Sequence, residues 1–107
     1  MLRGEFGETY GVNPAENYER YFVPVIGEPM ARDLIARAAL QPTERVLDVA
    51  CGTGIVARLA VDTVAGRGSV TGLDPNAAML AVARTEGGPG IEWCEACGTD
   101  AVARRGV

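Results

Sequence analysis

Two aspartates bracket a glycine turn in this sequence. Asp48 sits inside a short apolar run, Arg45-Val-Leu-Asp-Val-Ala50, that leads directly into Cys51-Gly52-Thr53-Gly54. Asp74 closes a second run, Ser69-Val-Thr-Gly-Leu73, and is followed by Pro75 and Asn76. Gly52 and Gly54 lack a Cβ, so the chain can bend sharply there and a ligand can approach the backbone. Such a turn between a strand and a helix is a common way of holding a small polar ligand. An ordinary connecting loop needs the same residues, so position and charge must decide the ligand.

Two ligand classes suit the turn. Gly52-Thr53-Gly54-Ile55-Val56-Ala57 formally fits the G-x-G-x-x-G/A dinucleotide pattern. A pyrophosphate, however, seeks uncompensated N–H donors at a helix N-terminus, and the fixed carboxylate of Asp48 would repel it. S-adenosylmethionine carries no phosphate. It has an ammonium, a sulfonium and one carboxylate, a charge pattern that Asp48 suits. Asp48 could equally serve as a turn stabiliser or helix cap, and the two roles are compatible. An acid at the end of a second strand can accept hydrogen bonds from ribose hydroxyls, which would be the role of Asp74; capping the next helix is the alternative.

The elements that must position these groups follow from periodicity. Tyr18, Phe22, Ile26, Met30, Leu34, Ile35 and Ala38 recur at three- and four-residue steps, which predicts helix from Ala15 to Leu40. Pro24 and Pro29 are expected to divide it into a short helix and a longer one, with Pro29 in the first turn of the second. Arg45 to Ala50 reads as a buried strand, Ile55 to Val64 as a helix closed by Ala65-Gly66-Arg67-Gly68, and Ser69 to Leu73 as a second strand. A helix from Ala77 to Arg84, capped by Asp74-Pro75-Asn76, and a strand from Ile91 to Glu95 complete the series. The alternation predicts an α/β fold with right-handed crossovers and a Rossmann-like, three-layer parallel sheet of about three strands in the order 3-2-1, preceded by helices. Residues 1–14 read as a flexible arm, 15–100 as the folded domain and 101–107 as a tail.

Three segments in register resemble class I S-adenosylmethionine-dependent methyltransferases. Val46 to Gly54 looks like the first motif of that family, Val70 to Arg84 like the second and Ile91 to Gly98 like the third. The small-molecule enzymes of the ubiquinone/menaquinone-biosynthesis type are the nearest in appearance. Glu16-Asn-Tyr-Glu-Arg-Tyr-Phe22 is similar to their N-terminal lid. The resemblance spans about residues 15 to 100 and implies S-adenosyl-L-methionine as cofactor. It implies that Gly52, Thr53 and Gly54 hold the methionine part, with Asp48 orienting the turn and the ammonium and Ala50 also among the cofactor-binding residues. It further implies Asp74 for the ribose, Pro75 and Met79 beside the adenine, and Cys97 with Gly98 at the adenine edge. Where relatives place Asp or Ser, this sequence has Cys97, a weaker hydrogen-bonding partner. Met79 suits a plain core position as well. Tyr18 and Tyr21 could close over a sulfonium or simply pack on the sheet. Trp93 reads as core or sheet-surface packing.

Composition narrows the classes further. The chain has 107 residues, a formal charge of −4 and no histidine, so a nucleic-acid surface has no basic patch to rest on and the commonest general base is missing. No apolar run approaches a membrane span and no secretory signal is evident. Three cysteines do not form a disulfide framework, and a cytoplasmic protein with reduced thiols is expected. Cys94-Glu-Ala-Cys97 is a C-x-x-C, but a strand end lacks the ligand set for zinc and the helix start of a redox pair; no metal is expected.

Beyond Asp100 the sequence reads Ala-Val-Ala-Arg-Arg-Gly-Val, without the segment that leads relatives into a fourth strand. The reading is therefore a cofactor-binding portion without its acceptor wall, and no catalytic residue is assigned. The methyl acceptor would be a small molecule. An uncovered first strand predicts a homodimer, through that strand or through exchanged N-terminal helices. A non-catalytic nucleotide-binding or assembly module, and a fragment of an NAD(P)-binding oxidoreductase, are the competing readings.

Overall fold

The computed structural model describes residues 13–64 and 66–96. Their strands form a parallel sheet in the order β1-β2-β3, with β1 at Arg45–Val49, β2 at Ser69–Asp74 and β3 at Ile91–Glu95. Helix α3 (Ile55–Val64) joins β1 to β2, and α4 (Ala77–Gly87) joins β2 to β3. Before them come α1 (Pro14–Asn17), a π-helical segment (Tyr18–Gly27) and α2 (Glu28–Ala38). The expected strand order is thus present, but β1, expected to be a buried strand, has only exposed and half-buried residues because it stands at the edge of the sheet among the described residues. The arm, the tail, Cys97 and Gly98 lie outside the described residues.

The N-terminal helix differs from expectation in one respect. Pro24 does not divide it: the chain stays helical from Pro14 to Ala38, and Pro24 lies within the π segment. An α-helix would set the proline ring against the carbonyl one turn back and lose a hydrogen bond. The wider π register accommodates the ring without a break. Pro29 takes its expected place in the first turn of α2, which ends with Ala39 in the left-handed region at φ 50°.

Parallel pairing puts Asp48, Gly72 and Trp93 in one row across the sheet, with Val46, Val70 and Ile91 in another row on the same face. The core lies on this side. Ala57, Ala60 and Val64 of α3 pack with Val70, and Val46, Ile91, Trp93, Ile35 and Leu40 close around them. The small alanines let α3 approach the sheet closely, while Leu80 and Ala83 bury the inner face of α4. On the opposite face, Leu73 is buried with Ala96, but Leu47 and Val49 of β1 stay 44% and 50% exposed. Tyr21, Val25, Ile26, Met30 and Leu34 add further exposed apolar surface along the N-terminal helix.

Candidate functional site

The site forms where β1 and β2 end. Cys51 prolongs the ladder by donating its N–H to the Leu73 carbonyl at 2.8 Å. Ala50, just before it, takes φ 58°, a left-handed conformation that costs a residue with a Cβ about 1 kcal/mol. The chain turns away from the strand here. Gly52 and Gly54 follow at φ 59° and 88°, where glycine avoids the cost that Ala50 bears. The Gly54 N–H returns to the Cys51 carbonyl at 2.9 Å, and the Gly54 carbonyl accepts from Arg58 N–H at 2.8 Å, which starts α3.

Both aspartates are bound to this turn through backbone donors. Asp48 Oδ2 accepts the Ala57 N–H at 3.2 Å and so satisfies an otherwise open donor in the first turn of α3. Asp74 accepts the Gly52 N–H on Oδ2 and the Asn76 N–H on Oδ1, each at 2.8 Å. Asn76, rather than Asp74, caps α4: its side chain accepts from Ala78 and Met79 N–H. Asp74 is thereby a clasp between the two strand ends, and only 8% exposed.

Burial pushes the Asp48 carboxyl up to about 6; the Ala57 N–H opposes the rise and the neighbouring charge of Asp74 adds to it. The Cys51 thiol is pushed up to about 12 by burial and then by the charges of Asp48 and Asp74. Cys51 is therefore no nucleophile at neutral pH.

The structure brings Asp48, Ala50, Gly52, Thr53, Gly54 and Asp74 to one end of the sheet. Pro75 is exposed beyond it, and Met79 is half-buried on α4, not a fully enclosed core residue. Tyr18 overlies the turn, its ring 3.8 Å from where a Gly52 Cβ would stand, and it stacks on Phe22 with centroids 4.7 Å apart. Tyr21 lies instead on the exposed side, with the Arg20 guanidinium 5.6 Å from its ring centroid.

Two features escaped the sequence. Arg58 of α3 pairs with Glu19 of the π segment at 2.7 Å, both side chains 17% exposed, and ties the N-terminal helix across the site. Trp93 reaches beneath the turn to Gly54. No local signal marks either, because the partners lie far apart in sequence.

The residues fit a ligand with separated positive and negative ends. Thr53 is 1% exposed and its Oγ1 has no hydrogen-bond partner among the described residues, an unmet polar group that a ligand oxygen would satisfy. The Asp48 carboxylate, raised by burial, would be favoured in its charged form by a cation.

Residues 46–104 match the family model described as "Methyltransferase domain". The chain belongs to this family. Ubiquinone/menaquinone biosynthesis C-methyltransferase UbiE of Stenotrophomonas maltophilia is 47% identical over 53 residues, covering 50% of this chain and 21% of that protein. Trans-aconitate 2-methyltransferase of Rhizobium etli is 41% identical over 66 residues, covering 62% and 25%. The matched part of this methyltransferase domain thus spans about a fifth to a quarter of the length of these curated relatives. The structure of a TehB-like SAM-dependent methyltransferase from Corynebacterium glutamicum superposes with a TM-score of 0.54 at 24% identity, over 74% of this chain and 42% of that one, and so shares the fold. S-adenosyl-L-methionine is the cofactor that membership of the family implies.

Proposed function

We propose that this domain binds S-adenosyl-L-methionine and serves methyl transfer to a small-molecule acceptor. The observation that carries the reading is the pair of carboxylates, Asp48 and Asp74, fixed on either side of one glycine turn. An anionic frame of this kind favours a ligand with an ammonium and a sulfonium over a pyrophosphate. The names of the curated relatives, a quinone-biosynthesis methyltransferase and a trans-aconitate methyltransferase, support a small acceptor.

When bound, the cofactor supplies a methyl carbon on a positively charged sulfur, open to attack by a nucleophile. The chain's part is to bind and orient. Gly52, Thr53 and Gly54 would hold the aminocarboxylate end, with Thr53 Oγ1 offered to the carboxylate and Asp48 to the ammonium. Asp74, held by Gly52 and Asn76, keeps lone pairs for ribose hydroxyls. Pro75 and Met79 would flank the adenine, and Tyr18 would cover the turn and limit access of water. Alignment of acceptor and methyl group is most of what such a reaction needs.

Isothermal titration with S-adenosylmethionine, S-adenosylhomocysteine, NAD and NADP tests the reading. The first two are expected to bind more tightly; tighter binding of a dinucleotide would overturn it.

Self-association is part of the same proposal. Among the described residues β1 is an edge strand, and Leu47 and Val49 leave its outer face apolar. A second copy pairing along β1, or an exchange of N-terminal helices, would cover that surface. A cytoplasmic setting is supported by the free thiols of Cys51 and Cys94. No helix among the described residues is long and apolar enough to cross a membrane.

A further inference from the structure

Trp93 stands in the middle of β3, directly beside Gly72 of β2 in the register of the sheet. Its indole spreads over three glycines from three different elements. A Cβ on Gly54 would overlap its Cη2, one on Gly72 would lie 2.5 Å from Cζ3, and one on Gly87 would lie 2.7 Å from Cζ2. At Gly54 the φ of 88° favours glycine in any case. At Gly72 and Gly87 it does not, since neither has a φ in the left-handed region. The contacts around them explain why no side chain stands there. At Gly87 those contacts are mainly the ring, and at Gly72 the ring is joined by the Cys51 sulfur. The sheet, the turn and the end of α4 have together left a slot for one indole.

The slot lies under the candidate site. Gly54 is where the turn becomes α3: its N–H closes the turn on Cys51, and its carbonyl starts the helix through Arg58. The benzo edge of Trp93 is the floor on which Gly54 rests. Asp48 occupies the same cross-strand row as Trp93, with Gly72 between them.

We infer that Trp93 is a positioning residue that sets the height of the glycine turn, and with it the affinity for the aminocarboxylate end of the ligand. The ligand part of this inference rests on the proposed function; the buttressing of the turn does not. A rigid ring in close contact fixes a backbone better than a flexible chain would, because packing at this density transmits a change of even one methylene. Trp93 acts on the ligand only through Gly54.

Trp93→Phe is the variant of choice. It keeps an aromatic ring in β3 but loses the benzo edge that reaches Gly54. Two measurements are paired. Amide hydrogen exchange at Gly54 and Arg58 is expected to quicken at least tenfold, while exchange in the first half of α2, away from the ring, changes less than twofold. Binding of S-adenosylhomocysteine is expected to weaken at least tenfold, while methylthioadenosine, which lacks the aminocarboxylate, changes less than threefold. Unaltered exchange at Gly54, or an equal loss for both ligands, overturns the inference. If the native chain binds neither ligand, the proposed function fails while exchange still decides the role of Trp93. Gly87→Ala is the second variant, crowding the ring at Cζ2. It should quicken exchange at Gly54 in the native background and leave it unchanged when combined with Trp93→Phe, which removes the Cζ2 atom; quickening in both backgrounds counts against the slot.

Discussion

Asp74 Oδ2 and the Gly52 N–H meet at 2.8 Å, across a gap in sequence that spans the whole of α3. The same carboxylate holds Asn76, so one side chain links the end of β2, the glycine turn and the start of α4. The residue proposed for the ribose thus also sets the geometry of the turn.

Replacing Asp74 with Ala should cost both stability and affinity. Two hydrogen bonds to a buried carboxylate are lost, and a loss of about 2–4 kcal/mol in folding free energy is expected. Asp74→Asn, which keeps one acceptor oxygen, should fall between. Thermal unfolding with parallel titration of S-adenosylhomocysteine checks this. An Ala variant that melts normally would remove the clasp from the account.

Asp48 predicts a pH dependence of definite sign. Its folded pKa of about 6 lies above the ordinary 3.8, so the fold prefers its protonated form. Its contribution to stability is complete below about pH 4, declines as the pH rises to 6, and is level above that. Asp48→Asn should abolish that decline and be at least as stable as the native chain at pH 7. A cationic ligand reverses the preference: affinity should rise from pH 4 to 6 in the native chain and stay flat in Asp48→Asn. Melting temperatures and titrations across this range decide both points, and an Asn variant clearly less stable at pH 7 would contradict the first.

Arg58 and Glu19 form the tether between α3 and the N-terminal helix. Arg58→Ala leaves Glu19 largely enclosed without its partner, at a cost of about 1–3 kcal/mol. Removing both should cost less than the sum of the single losses. A double-mutant cycle by denaturant unfolding measures the coupling; strict additivity would mean that the pair contributes nothing to holding the helix.

The proposed self-association has its own test. Sedimentation across a concentration series should show a dimer, and Leu47→Lys with Val49→Lys on the exposed face of β1 should shift the equilibrium to monomer. A native monomer at high concentration would exclude the dimer.

Much of the site was legible because its logic is local. Strand, glycine turn and helix follow one another within Arg45–Val64, and alternation of elements alone implies a parallel sheet with its ligand at the strand ends. Pro24 misled because a proline rule for α-helices does not cover the π register. The division of labour between Asp74 and Asn76 was also hidden, since either could cap α4 and only geometry chooses.

By itself, then, the sequence determined the order of elements, the sheet topology and the candidate ligand-binding turn, all set by residue types within a few positions of one another. Tertiary structure alone decided the burial that raises Asp48, the Asp74–Gly52 clasp, the Arg58–Glu19 tether and the seat of Trp93 among three glycines. Each of these depends on which residues distant in sequence come within a few ångströms of each other. Side-chain periodicity says which face a residue takes, but the depth and neighbours it finds there are fixed only when strands pair in register and helices close over them.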